Sequence, residues 1–169
     1  MTQGFASKAP PWLDVGAASE QLLVAAANTW EDTSTSEHYI QKALAQPDVE
    51  FDVLVGAYRY YFYKNHDVEA LQVARTVLDR IHQAEQWPTD WDTLMPILKS
   101  RLEDTIVRLY LNAYAGSGLL LARLGRVQEA ETIAAQVQQI DAKEFGADVL
   151  LTVLNPPPDE DEDEEGDTL

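Results

Sequence analysis

The sequence contains one short turn twice, as Asn65-His66-Asp67-Val68-Glu69-Ala70 and as Gly125-Arg126-Val127-Gln128-Glu129-Ala130. Each copy follows an aromatic or apolar helical run. Glycine and asparagine end helices at low cost because they accept a positive φ. The Glu that follows favours a first helical turn, and the small Ala lets the second helix pack closely on the first. The two copies therefore predict two antiparallel helical hairpins of one design.

Apolar residues at helical spacing extend this pattern through most of the chain. They predict helices over about 17–30, 36–45, 51–64, 67–83, 93–124, 127–140 and 145–154. The fifth helix is unusually long because helical spacing continues from Leu94 to Leu120, with no proline after Pro96 before Gly125. We expect an all-α fold of about six to seven helices.

Length and composition predict one domain with a hydrophobic core, preceded by an arm whose Trp12 and Leu13 dock on the first helix and followed by an acidic tail. The chain has 169 residues, of which 46% are hydrophobic, enough for a globular core. We expect an N-terminal arm over residues 1–16, a helical domain over 17–154 and a disordered acidic tail over 155–169. The tail begins at Asn155-Pro156-Pro157-Pro158, where three prolines cannot continue a helix, and it holds eight of the 29 acidic residues.

Charge and cysteine content narrow the class of protein. The net charge is −17, and both the tail and the remainder are acidic, so we expect no direct binding to nucleic acid. The absence of cysteine excludes disulfides and cysteine nucleophiles, and it suits a reducing compartment. The first residues do not resemble a signal peptide, and no apolar run approaches the length of a membrane helix. The sequence therefore predicts a cytoplasmic protein that does not bind membranes.

No group of residues predicts catalysis. His38, His66 and His82 lie at the ends of different predicted helices, and none has the spaced partner that a metal site needs. Adjacent carboxylates such as Glu103-Asp104 are typical of a solvated helix face. No glycine-rich phosphate loop or Ser-His-Asp order is present. We predict a non-enzymatic protein with no cofactor and no metal.

A regular repeat indicates a family. Gln41-Lys42-Ala43-Leu44 and Arg75-Thr76-Val77-Leu78 occupy matching places at the ends of the first and second hairpins. The third hairpin has Gly125 at its turn, followed by Ala130, Ala134 and Ile140-Asp141-Ala142. The interval between the first two segments is the period of the tetratricopeptide-repeat family, which the chain resembles. Its first repeat is degenerate, and a long insertion separates the second hairpin from the third. The resemblance implies a right-handed α–α superhelix.

The resemblance also implies a binding surface. Proteins of this family bind peptides or helices on the concave face, which the first helix of each hairpin lines. Mapping that face onto this chain gives the candidate partner-binding residues Val55, Arg59, Phe62, Tyr63, Asn112 and Arg123. Arginine and aromatic residues dominate binding hot spots, which favours Arg59, Phe62 and Tyr63. The alternative for both aromatic residues is packing against the long helix.

Two functions remain open on the sequence alone. The first is an adaptor or chaperone that holds a partner polypeptide on the concave face. The second is a self-assembling scaffold, or an accessory subunit of a larger complex, that uses the long helix over 93–124. Trp87, Trp91 and Met95 beside that helix either staple it to its neighbours or form half of a homodimer contact.

Overall fold

The computed structural model describes residues 17–141, 144–145 and 154, and this part of the chain is all-α with no strand. The prediction of an all-α fold with about seven helices is confirmed. Within the described part the helices are α1 (Ala17–Asn28), α2 (Thr33–Leu44), α3 (Phe51–Tyr63), α4 (Asp67–Glu85), α5 (Trp91–Ser100), α6 (Thr105–Arg123) and α7 (Val127–Ile140). The predicted arm over 1–16 and tail over 155–169 lie outside the described residues, as does most of the predicted helix over 145–154.

The repeated turn has the same backbone geometry in both copies. Asn65 and Gly125 follow α3 and α6 with φ of 58° and 78°. The next N–H in each turn, of His66 and of Arg126, donates to a carbonyl five residues earlier, at 2.9 and 2.8 Å. This hydrogen bond satisfies a carbonyl that the end of the helix would otherwise leave without a partner. The hairpins α3–α4 and α6–α7 are therefore joined in the same way.

Small residues at matching positions set the packing inside the two hairpins. Ala70 and Ala74 of α4 are fully buried, and so are Ala130 and Ala134 of α7. Since alanine extends little beyond the backbone, the second helix of each hairpin lies close to the first. The core continues from these contacts through α4, α6 and α7, whose fully buried side chains include Ile81, Leu111 and Val137.

Basic side chains at the ends of α3 and α6 contact the preceding hairpin. Lys64, which follows α3, donates to the Thr33 hydroxyl at 3.2 Å, and Thr33 begins α2. Arg123, which ends α6, pairs with Asp67 at 3.4 Å, and Asp67 begins α4. Consecutive hairpins therefore meet at equivalent points near their turns.

The single long helix predicted over 93–124 is wrong, because residues 101–104 separate α5 from α6. The Asp104 carboxylate accepts from the backbone N–H of Ile106 at 3.0 Å and caps the start of α6. The Arg101 guanidinium bonds Asp104 at 2.6 Å and Glu85 of α4 at 3.0 Å. These side chains turn the backbone although the apolar spacing continues. From Thr105 onward α6 is unbroken, and it passes through Gly116-Ser117-Gly118.

Helix α5 folds back onto the hairpins through aromatic contacts. Trp87 is buried and meets Tyr110 edge-on, with ring centroids 5.2 Å apart. Trp91 stacks on Tyr114 at 5.8 Å and donates from Nε1 to the Gln139 side chain of α7 at 2.9 Å. The two tryptophans thus hold the segment that contains α5 against α6 and α7, which was one of the two alternatives drawn from the sequence. No helix in the described ranges has the length and apolar character needed to cross a membrane.

Candidate partner-binding surface

The first helices of the three hairpins lie side by side through a repeated glycine contact. A Cβ on Gly56 of α3 would lie 3.3 Å from both δ-carbons of Leu23 in α1. A Cβ on Gly116 of α6 would overlap the hydroxyl of Tyr58 in α3. Gly56 precedes Gly116 by the same offset that separates the two turns. We call the space between α1 and α3 the first gap and the space between α3 and α6 the second gap.

Aromatic rings fill the second gap. Tyr58 lies over Gly116, and Phe62 lies one turn further along α3, with the two ring centroids 5.9 Å apart. The Arg123 guanidinium lies over the Phe62 ring at 5.3 Å while it pairs with Asp67. Burial, with a smaller contribution from nearby Tyr63, raises the pKa of Tyr58 to about 12. The tyrosine is therefore neutral at physiological pH and acts as packing.

The first gap is open because smaller residues occupy the matching positions. Leu23 faces Gly56 as Tyr58 faces Gly116, and Ala27 lies one turn after Leu23 as Phe62 lies one turn after Tyr58. A mainly apolar cavity of about 290 Å³ remains there. Its walls are residues from α1 and α3, with Trp30 from the turn after α1 and Ile40 from α2.

The rim of this cavity is held by specific contacts. The Trp30 ring is partly exposed and meets Tyr60 edge-on, with centroids 5.5 Å apart. The Lys64 ammonium group lies 4.0 Å from the centroid of the Trp30 ring and also donates to the Trp30 carbonyl. The Tyr60 hydroxyl meets the buried Ser36 hydroxyl at 2.5 Å. Trp30 is therefore fixed in place rather than free to swing across the opening.

Arg59 gives the cavity its charge. Its side chain is exposed and lines the cavity beside Tyr63, which is 70% exposed. Within the part of the chain that the structure describes, Arg59 makes no hydrogen bond or ion pair. Among the other arginines, four pair with carboxylates (Arg101, Arg108, Arg123 and Arg126) and Arg80 donates to the Val49 carbonyl. Arg75, which lines a separate cavity, likewise makes no such contact among the described residues. Arg59 is thus available to an anionic group on a ligand.

The six predicted residues divide between several environments. Arg59 and Tyr63 lie at the first gap, whereas Phe62 and Arg123 belong to the second. The packing alternative therefore describes Phe62, although its neighbour is α6 rather than a long helix.

The two remaining predicted residues lie away from both gaps. Val55 is only 4% exposed, so its predicted place on a binding surface is wrong. It lies one turn before Arg59 on the same side of α3, where that side of the helix is buried in the core. Asn112 is exposed on α6, about three turns before Arg123 and therefore about 16 Å away at the helical rise. The structure does not bring Asn112 together with Arg59 and Tyr63.

Sequence reasoning missed four residues that define the cavity: Leu23, Ala27, Trp30 and Gly56. A signal for Gly56 was present, because the offset from Gly56 to Gly116 equals the offset between the two turns. No comparable signal marks Leu23 or Ala27. These two side chains matter because they are too small to fill the space between α1 and α3, and that space can be seen only when both helices are in place.

The fold and this surface define an all-α protein of antiparallel helical hairpins with an open gap between two first helices. The sequence is 32% identical over 124 residues to a protein of Azotobacter chroococcum mcd 1 named "Uncharacterized 19.8 kDa protein in nifW 5'region". The alignment covers 71% of this chain and 70% of that protein, so the chain belongs to the same family. No known protein-family profile matches the sequence, and no solved structure matches it.

Proposed function

We propose that this chain is a non-enzymatic protein-binding module of tetratricopeptide-like hairpins, an adaptor or chaperone that holds a segment of a partner polypeptide. The segment, a peptide or a helix, lies along α3 at the first gap. Arg59 binds an acidic or backbone oxygen of the partner, and an apolar partner residue enters the cavity beside Tyr63. The proposed compartment is the cytoplasm, and the proposed partner is another protein rather than nucleic acid or membrane.

One observation carries this proposal: an apolar cavity of about 290 Å³ opens beside an arginine with no partner in the described residues. Ligand sites combine a mainly apolar lining with a few polar groups that fix orientation. The net charge of the chain is −17, yet the side chain at this opening is a cation, which favours an acidic group on the ligand. The repeated glycine contacts and turns support the tetratricopeptide-like class.

The scaffold alternative has lost its main support. It relied on an overhanging helix over 93–124, and that region is two helices, of which α5 is stapled to α6 and α7. A homodimer remains an outcome of the binding experiment rather than a second proposal.

Affinity capture from the native host's lysate tests the proposal with four forms of the protein. They are the unmodified chain, Arg59→Glu, the matched control Lys99→Glu at an exposed position of α5, and a chain ending at Leu154. We expect one partner to be lost with Arg59→Glu and kept with the other two variants. Circular dichroism checks that each variant is folded. Capture that depends on the tail, yields only the chain itself or is insensitive to Arg59→Glu contradicts the proposal.

A further inference from the structure

Building on the proposed function, we propose that the first gap accepts an aromatic side chain of the partner, and that Arg59 binds a carboxylate next to that ring. The required ligand is thus a peptide segment in which a phenylalanine, tyrosine or tryptophan adjoins an aspartate or glutamate. The groups that fill the second gap show which groups are missing from the open first gap.

The second gap contains the arrangement that we propose for the first. There the Phe62 ring lies beneath the Arg123 guanidinium at 5.3 Å, and the same guanidinium pairs with Asp67 at 3.4 Å. A ring, a cation and a carboxylate are thus combined between two first helices. The first gap has the matching glycine contact, the cation Arg59, and a separate cation–ring pair of Lys64 over Trp30 at its rim. At the position equivalent to Phe62 it carries only Ala27, and none of the described residues that line it is acidic.

The size and lining of the first gap suit one ring. An apolar cavity of about 150 Å³ is known to hold benzene, and this one measures about 290 Å³. Ala27 stands where α3 carries Phe62, so the missing volume at this position is that of a phenyl group. Trp30 and Tyr63 at the rim offer ring edges and faces, which attract a further aromatic group.

The charge of the opening favours an acidic residue beside the ring. Arg59 has no carboxylate partner within the described residues, and it lies where an entering ring would pass. An arginine over an aromatic face gains cation–π attraction, and its remaining N–H donors can bind a carboxylate. A basic residue in the ligand would instead meet Arg59 with like charge.

Nuclear magnetic resonance titration with blocked hexapeptides tests this ligand chemistry on the full chain. The probe is acetyl-Gly-Ser-Phe-Glu-Ser-Gly-amide, compared with versions that replace Phe by Leu or Ala, or Glu by Gln. The reporters are the Gly56 amide and the Trp30 indole N–H. We expect saturable shifts with the Phe-Glu peptide, binding at least about tenfold weaker with Ala, and about threefold weaker with Gln.

A variant that fills the gap from inside supplies the second test. Ala27→Phe places the chain's own ring where the ligand ring would enter, as Phe62 does in the second gap. We expect peptide affinity to fall at least about tenfold while the unfolding midpoint is kept or raised. Ala135→Phe on the exposed face of α7 is the matched control and should bind like the unmodified chain.

Three outcomes would overturn the inference. One is an Ala27→Phe variant that still binds the Phe-Glu peptide, and another is a Phe-Glu peptide that causes no saturable shift. The third concerns Trp12, an aromatic residue of the N-terminal segment 1–16: if Trp12→Ala moves the Gly56 and Trp30 signals without peptide, a segment of this chain is the occupant. If lysate capture still depends on Arg59 in any of these cases, the proposed function stands and only the aromatic anchor is wrong.

Discussion

The first and second gaps share a glycine contact between neighbouring first helices but differ in the side chains above it. Above Gly116 the chain places Tyr58 and Phe62, and the space is filled. Above Gly56 it places Leu23 and Ala27, and a cavity of about 290 Å³ remains. Two positions one turn apart thus separate a structural interface from an opening. The comparison indicates that smaller side chains at positions filled in the second gap are enough to leave an opening between two first helices.

The largest effect should come from emptying the second gap. Phe62→Ala removes a half-buried ring that packs against α6 and beneath Arg123. We expect it to lower the free energy of unfolding by about 3 kcal/mol, the lower end for losing a core phenylalanine. Urea denaturation followed by circular dichroism measures the change.

The neighbouring Tyr63→Ala is the control for this experiment. Tyr63 is on the same helix but 70% exposed, so its loss should change stability by less than about 0.5 kcal/mol. Equal costs for the two variants would contradict the distinction between a packed second gap and an open first one.

Adding one methyl group to each glycine should give the next largest difference. In Gly116→Ala the new Cβ would overlap the Tyr58 hydroxyl, whereas in Gly56→Ala it would approach the flexible end of Leu23 at 3.3 Å. Overpacking costs about 1–3 kcal/mol, and alanine recovers up to about 1 kcal/mol of helix propensity. We therefore expect a loss of about 1–2 kcal/mol at Gly116 and almost none at Gly56, measured by urea denaturation.

The hydroxyl of Tyr58 supplies an internal check. Combining Gly116→Ala with Tyr58→Phe removes the overlapping oxygen, so the double variant should recover most of the loss caused by Gly116→Ala alone. Failure of this rescue would place the strain elsewhere in α6.

The hairpins could be predicted from the sequence because their signals are local. The predicted helix over 127–140 matches α7, and the prediction over 51–64 ends one residue beyond α3. A residue that accepts a positive φ, followed by an acid and an alanine, fixes each turn within one short segment. Nothing distant is needed to form it.

The break before α6 could not be predicted from periodicity, because the apolar residues on either side of it keep the spacing of one continuous helix. Leu98, Leu102 and Ile106 keep the same helical interval across the break. What ends α5 is the set of contacts from Arg101 to Asp104 and to Glu85, and Glu85 lies at the end of α4. That pairing depends on the placement of α4, which the local pattern does not contain.

The candidate site was partly visible in the sequence. Arg59 and Tyr63 were identifiable as an arginine and an aromatic residue on a first helix, and both lie at the opening. Val55 lies on the same stripe, yet it is buried, because helical spacing cannot say where along a helix the core begins. The cavity itself arises from the small size of Leu23 and Ala27, which requires both helices in place.

The segment that lengthens the spacing before the third hairpin supplies a pH-dependent test. The hydrogen bond from Arg101, aided by the Ile106 N–H, holds the pKa of Asp104 below its ordinary value. Asp104→Ala removes both the cap and this pairing, and we expect a loss of about 1 kcal/mol near neutral pH. Urea denaturation at a series of pH values measures it.

The pH at which this loss disappears follows from the direction of the shift. Because the folded-state pKa of Asp104 is lowered, its carboxylate stabilises the fold fully above the unfolded-state pKa of about 3.9. That contribution is lost as the pH falls through the lower folded-state value. The difference between the unmodified chain and Asp104→Ala should therefore shrink below about pH 4. Gln138→Ala, at an exposed position of α7, removes no ionisable group and should show no such trend.

The smallest effects should come from exchanging the two turn residues. Asn65 and Gly125 both have positive φ, where glycine is unstrained and asparagine is tolerated. Asn65→Gly should stabilise the protein and Gly125→Asn should destabilise it, each by less than about 1 kcal/mol, because glycine also increases the entropy of the unfolded chain. Thermal unfolding measures both variants.

The double exchange is the sharper form of this test. A Cβ on Gly125 would meet no atom within 4 Å, so Gly125→Asn changes backbone preference without creating a clash. If the two turns are equivalent, the single effects have opposite signs, and the double variant unfolds close to the temperature of the unmodified chain. Effects of the same sign would mean that the two turns carry different strain despite their matching hydrogen bonds, and the repeat would then be one of sequence more than of energetics.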